Sequence, residues 1–106
     1  DRLAALVSIL VSADLLVLLS DVDALYTHPP HEPGAIKIVD VALGDDLAGV
    51  SFGESGGAGV GTGGAVTKVS AARLAAEAGT AVLVTSAAQV TQALTGQQVG
   101  TFFDPA

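Results

Sequence analysis

The stretch SFGESGGAGVGTGG, residues 51–64, runs straight into AVTKVSAARLAAEA, residues 65–78. Seven glycines (53, 56, 57, 59, 61, 63 and 64) fall within twelve positions, too little side chain to pack a core. Such a run is either a flexible linker or a backbone cradle. The Ala-rich, helix-prone segment that follows, with Gly79 placed to end it, favours the cradle. The first turn of a helix has unpaired N–H groups and the positive end of the helix dipole, which together suit a phosphate. Thr67 and Lys68 stand about one turn into that helix. A cation there repels the dipole by about 0.3–1 kcal/mol unless an anion joins it. Lys68 therefore points to an anionic ligand, the plain alternative being an exposed lysine that swings into water.

A second group of polar residues, Ser20-Asp21-Val22-Asp23, follows the apolar run Leu15 to Leu19. Two carboxylates just past the end of a buried strand lie where open α/β sheets bind ligands. A solvated strand-to-loop turn is the competing reading. Other motifs fail on context. Gly59 to Gly64 matches G-x-G-x-x-G in form, but no strand precedes it, so a dinucleotide fingerprint is rejected. Lys68 lies four positions after Gly64, whereas a Walker A loop needs its lysine directly after the last glycine. His28 and His31 flank a Pro pair in a loop and read as surface residues.

These groups need a scaffold, and the periodicities supply one. Leu3, Leu6, Val7 and Leu10 follow helical spacing across residues 1–12, with Asp1 in position to cap. Leu15 to Leu19 is continuous enough for a strand buried on both faces. Residues 27–35, THPPHEPGA, are a loop, and Lys37 to Val41 a short strand. A turn or short helix is expected around Asp45 to Ala48. In the helix after the glycines, Val66, Val69, Leu74 and Ala78 can line one face. Thr80 to Thr85 then reads as a strand, Ala87 to Leu94 as a helix ended by Gly96, and Val99 to Phe103 as a last strand. This alternation predicts an α/β domain with a largely parallel sheet, without internal repeat or second domain.

Composition narrows the chemistry. Of 106 residues, 11 are Asp or Glu and 4 are Lys or Arg, a net charge of −7. That balance argues against nucleic acid or an anionic membrane as partner. Hydrophobic residues are 50% of the chain, so it is no disordered acidic tail. With no cysteine, a disulfide framework, a thiolate nucleophile and a Cys-ligated zinc are excluded. The longest apolar run is far short of the ~20 residues that cross a bilayer. No basic region precedes a cleavable apolar stretch, so a cytoplasmic location is expected. The chain starts at Asp1 rather than Met, as a segment of a longer protein would.

Three ordered motifs and the first three residues carry a resemblance. Leu16-Val17-Leu18-Leu19-Ser20-Asp21-Val22-Asp23-Ala24-Leu25-Tyr26-Thr27 resembles the LLLTDxxGLYT segment of the amino acid kinase family. Gly61-Thr62-Gly63-Gly64-Ala65-Val66-Thr67-Lys68 resembles GTGGMxTK, the form typical of that family's glutamate 5-kinase branch. Val99-Gly100-Thr101-Phe102-Phe103 resembles its GTxF segment, and Asp1-Arg2-Leu3 the end of DNDxLSA. The resemblance spans the whole chain and corresponds to the C-terminal, nucleotide-binding half of the kinase domain.

The resemblance implies a three-layer αβα fold with a mostly parallel sheet. It also implies ATP- and Mg²⁺-dependent phosphorylation of the γ-carboxylate of L-glutamate, the first step of proline synthesis. By position, Ser20 and Asp21 match a pair that contacts ATP. Thr62, Gly63, Gly64, Ala65, Val66, Thr67 and Lys68 match the loop and helix start over the phosphates. Lys68 matches the lysine that neutralises the transferring group, and Asp1 the acid that orients catalytic lysines. No protein metal ligand is expected. The 106 residues on their own are expected to be inactive and to associate, as a homo-oligomer or with an N-terminal half. A non-catalytic nucleotide-binding or interaction module derived from such a kinase is the alternative. The sequence departs from the pattern at Ala4, Ala24, Pro29, His31 and Ala65. Ala24 stands for a glycine and would be strained if that position required φ > 0.

Overall fold

The computed structural model describes residues 1–28, 31–45, 47 and 65–106. In chain order its elements are α1 (Arg2–Leu10), β1 (Leu15–Ser20), β2 (Leu25–Tyr26), β3 (Lys37–Ile38), β4 (Asp40–Val41), α2 (Ala65–Glu77) and β5 (Ala81–Ser86), then a 3-10 turn (Ala87–Gln89), α3 (Val90–Leu94) and β6 (Thr101–Phe103). Four strands form one sheet in the order β1-β5-β6-β4, and β2 and β3 pair antiparallel beside it. The β1–β5 and β4–β6 pairs are parallel, while β5–β6 is antiparallel. The expected strand from Lys37 to Val41 is thus two short strands, each in a different sheet.

The core lies between α2 and one face of the sheet. Alternation puts Leu16 and Leu18 of β1, Val82 and Val84 of β5, Phe103 of β6 and Val41 of β4 on that face. Ala71, Ala72, Ala75 and Ala76 of α2 are buried against it with Val69. Small side chains let the helix sit close to the strands, and the bulk comes from Phe103, whose burial is worth about 1.5–3 kcal/mol. α2 ends where expected: Gly79 takes φ +100°, and the Thr80 N–H closes onto the Ala75 carbonyl. On the opposite face, Leu15, Leu83 and Phe102 line a groove with Ala93 of α3. α2 thus covers one face of the sheet, and α3 borders the groove on the other.

Three packing expectations are corrected. In α2, Val66 is 55% exposed and Ala78 is exposed, and the buried face is the alanine row with Val69. In α1, Leu3, Leu6, Val7 and Leu10 all face solvent, and Ala5 and Ser8 are the buried positions. The small buried face of α1 packs with the alanine row of α2, and that contact turns the leucine stripe outward. β1 is an edge strand rather than one buried on both faces, which leaves Leu15 and Leu19 about half exposed. Ala24 does not take a positive φ and is buried, so no strain arises from its standing for a glycine. A turn forms at Leu43 and Gly44, ahead of the expected Asp45 to Ala48, and the Asp45 carboxylate accepts the Leu47 N–H at 2.8 Å; Asp46 and Ala48 lie outside the described residues.

Candidate active site

Two helix–strand connections set the geometry. α1 leads into β1, and α2 into β5, through a few residues each, and each helix packs on its own strand. Both helices therefore run back along strands that are parallel to one another. Their N-terminal ends, with Asp1 and Lys68, lie at the end of the sheet where β1 and β5 finish at Ser20 and Ser86. In an α/β sheet this carboxyl edge is where ligands are held.

The contact between α1 and α2 brings Asp1 to Lys68, 67 positions away in the chain. The Lys68 Nζ donates to Asp1 Oδ2 at 3.5 Å, and the Thr67 hydroxyl donates to the same oxygen at 3.3 Å. Asp1 occupies the N-cap position of α1 but makes no side-chain cap bond. Its carboxylate is committed to α2 instead. The Lys68 side chain is 12% exposed and that of Asp1 26%. The lysine is therefore held rather than swung into water, and the anion that offsets it near the start of α2 is Asp1. An ammonium fixed at a helix start by one carboxylate keeps two further N–H donors for an incoming anion.

At the edge of the sheet, the Ser20 hydroxyl accepts the Val22 N–H at 3.2 Å and donates to Asp21 at 3.4 Å. This small turn ends β1 and leaves Asp21 exposed. Asp23 does different work. One oxygen accepts the Tyr26 hydroxyl at 2.8 Å, and the other lies 3.8 Å from the Lys37 ammonium on β3. The hydrogen bond to Asp23 holds the Tyr26 hydroxyl protonated above its ordinary pKa of 10.0, helped by desolvation and the carboxylate charge. Asp23 thus ties the β2–β3 pair together.

The structure brings Asp1, Thr67 and Lys68 into contact, and puts Ser20 and Asp21 at the same end of the sheet. Ala65 packs against the core at the start of α2, whereas Val66 faces outward. Thr62, Gly63 and Gly64 lie outside the described residues. Ser86 was missed by sequence reasoning. The parallel register sets it directly opposite Ser20, and its hydroxyl is 3.4 Å from Gln89. A short β-branched strand read to end at Thr85 held no sign of that pairing. Among the described residues, no three His, Asp or Glu side chains converge to hold a metal ion.

Comparison with known proteins identifies the family. Residues 1–86 match the model of the amino acid kinase family. The chain is 71% identical over 105 residues to a glutamate 5-kinase of Clavibacter sepedonicus, covering 99% of this chain and 40% of that protein. It is 65% identical to one of Leifsonia xyli, covering 100% of this chain and 39% of that protein. A third, from Streptomyces avermitilis, is 56% identical, with 99% and 28% covered. The chain thus spans about 40% of the length of the first two relatives. Among solved structures, carbamate kinase from Giardia lamblia bound to AMP-PNP superposes with a TM-score of 0.71 at 24% identity, over 96% of this chain and 34% of that one. Uridylate kinase from Archaeoglobus fulgidus gives 0.65 at 18% identity, over 93% and 44%. These two fix the fold alone. A mixed, mostly parallel sheet with helices, a lysine anchored at the start of α2 and a family match across 86 residues lead to one assignment: the chain belongs to the amino acid kinase family.

Proposed function

We propose that the protein carrying this chain transfers the γ-phosphoryl group of ATP to the γ-carboxylate of L-glutamate, the step that opens proline synthesis. In this reading residues 1–106 are the C-terminal portion of the kinase domain and supply most of the nucleotide site. The observation that carries the proposal is the 71% identity to a glutamate 5-kinase across nearly the whole chain. The geometry supports it. Phosphoryl transfer needs positioning and charge stabilisation more than covalent help. Lys68, held by Asp1 near the start of α2, offers a fixed positive charge to the transferring group. The free N–H groups of the helix start would face the phosphate oxygens. Ser20 and Asp21, at the edge of the sheet, would contact the nucleotide. The substrate is MgATP, with the ion carried on the phosphates, as this metal usually is.

The test uses the full-length protein. Glutamate-dependent ADP release is followed while the acyl phosphate is trapped with hydroxylamine as a hydroxamate. Lys68→Met keeps the stem and removes the charge. The lysine acts most as charge shifts in the transition state, so kcat should fall about 10²- to 10³-fold while KM for ATP moves much less. Near-normal turnover of Lys68→Met would leave Lys68 as a structural partner of Asp1 with no part in the transfer. Nucleotide binding without glutamate-dependent ADP release in the unaltered protein would point to a non-catalytic module instead.

A further inference from the structure

We propose that Thr101 is a positioning residue for the nucleotide-binding edge: its buried hydroxyl fixes the segment from Asp21 to Leu25. This rests on the nucleotide reading above. Thr101 is 0% exposed at the start of β6. Its Oγ1 accepts the Leu25 N–H at 2.9 Å and donates to the Ile38 carbonyl. Leu25 and Ile38 face one another in the β2–β3 pair, so a single hydroxyl bridges the two strands from 76 and 63 positions away. Just past Ile38 the backbone adds a second tie, the Phe102 N–H donating to the Val39 carbonyl at 3.0 Å, so Thr101 is what carries the hold across to β2.

The residue before it keeps the bridge in register. Gly100 takes φ +73°, and a Cβ there would run into the Val84 carbonyl oxygen and lie 2.9 Å from Thr85 Cβ. Gly100 lets the chain press against the end of β5, and Thr101 then reaches the hairpin from that fixed point. The segment from Asp21 to Leu25 is therefore pinned at both ends. The Ser20 hydroxyl holds the Val22 N–H at one end, and Thr101 holds the Leu25 N–H at the other. Asp21 is spanned by the first anchor, the bond from the Val22 N–H to Ser20, and among the described residues its carboxylate accepts the Ser20 hydroxyl. Its place at the edge depends on both anchors.

Removing the hydroxyl strands a buried N–H and a partly buried carbonyl, and the segment must move to satisfy them. The test compares Thr101→Val, Thr101→Ala and Thr101→Ser in the full-length protein by steady-state kinetics and by binding of a fluorescent ATP analogue. Thr101→Val should raise KM for ATP roughly tenfold, the worth of about one hydrogen bond, with KM for glutamate unchanged. Thr101→Ser should restore the wild-type value. Thr101→Ala gives the same comparison if the Val variant does not fold. A variant without the hydroxyl whose KM for ATP and analogue affinity stay at wild type overturns the proposal, even if its melting temperature or kcat falls. A wild-type protein that binds the analogue but lacks glutamate kinase activity sinks the proposed reaction alone, and the analogue affinities still decide the role of Thr101. A wild-type protein that binds no nucleotide sinks both.

Discussion

Substituting Gly100 by alanine should damage this fold more than the same change at any other described glycine. Two costs combine at that position. The φ of +73° is a left-handed conformation that costs an L-residue about 1–2 kcal/mol. The new Cβ would also collide with the Val84 carbonyl oxygen, and at 2.9 Å it would press on Thr85 Cβ. Both obstacles belong to β5, the central strand that pairs with β1 and β6, so neither can swing aside. Overpacking of this kind costs about 1–3 kcal/mol. The sum is about 2–5 kcal/mol, a large share of the ~5–15 kcal/mol that keeps a domain folded. Gly79 provides the control, because its φ is +100° but nothing lies within 4 Å of its added Cβ. Gly79→Ala carries only the conformational cost. The difference between the two variants isolates the collision at about 1–3 kcal/mol, or about 2–12 °C in Tm for a protein of the relatives' size. Thermal unfolding of the full-length variants, followed by circular dichroism and calorimetry, measures it. Equal losses at Gly100 and Gly79 would refute the argument, since the close approach to β5 would then carry no weight.

Asp21→Ala should raise KM for ATP in the full-length protein more than Asp23→Ala does. Asp23 is engaged with Tyr26 and Lys37, so its loss should appear mainly as a lower Tm. Equal, small changes from both would return the pair to a solvated turn. Desolvation, then the neighbouring Asp40 carboxylate, raises the Asp104 pKa above 3.8 in the folded state. A folded-state pKa above the unfolded one means this group's stabilisation is complete below the unfolded value and is lost as pH rises through the folded one. Asp104→Asn should therefore raise Tm at neutral pH, with the gain shrinking as pH falls through the folded-state pKa toward 3.8; a gain that grew as pH fell would contradict that sign. The exposed Leu3, Leu6, Val7, Leu10 and Val11 of α1 and its end form an apolar surface. The 106-residue chain should self-associate or bind apolar dyes, and a monodisperse monomer by light scattering with no dye uptake would count against this.

Much of the site was legible because it depends on local chemistry. A glycine run entering an Ala-rich helix, a lysine one turn in, and carboxylates after an apolar run each follow from residue type and spacing alone. The same holds for where α2 and β5 fall and for the end of α2 at Gly79. What the chain alone left open was partnership. Asp1 reads as a helix cap, yet its carboxylate goes to Lys68 and Thr67, because packing α1 on α2 sets that cation closer to it than any benefit of capping could outweigh. The leucine stripe of α1 reads as the buried face, but Ala5 and Ser8 are buried, because only small side chains allow α1 to lie close to the alanine row of α2. Leu15 to Leu19 reads as doubly buried, and the sheet order makes it an edge. Ser86 gave no local signal, and Thr101 stood out only as part of a short motif, not as a bridge between strands. One takes its place from a parallel register with β1, the other from hydrogen bonds to residues 63 and 76 positions away. Spacing along the chain specifies which face a residue shows, but not which face the neighbouring element will present. That choice depends on the shapes and volumes of surfaces that meet only once the chain has folded.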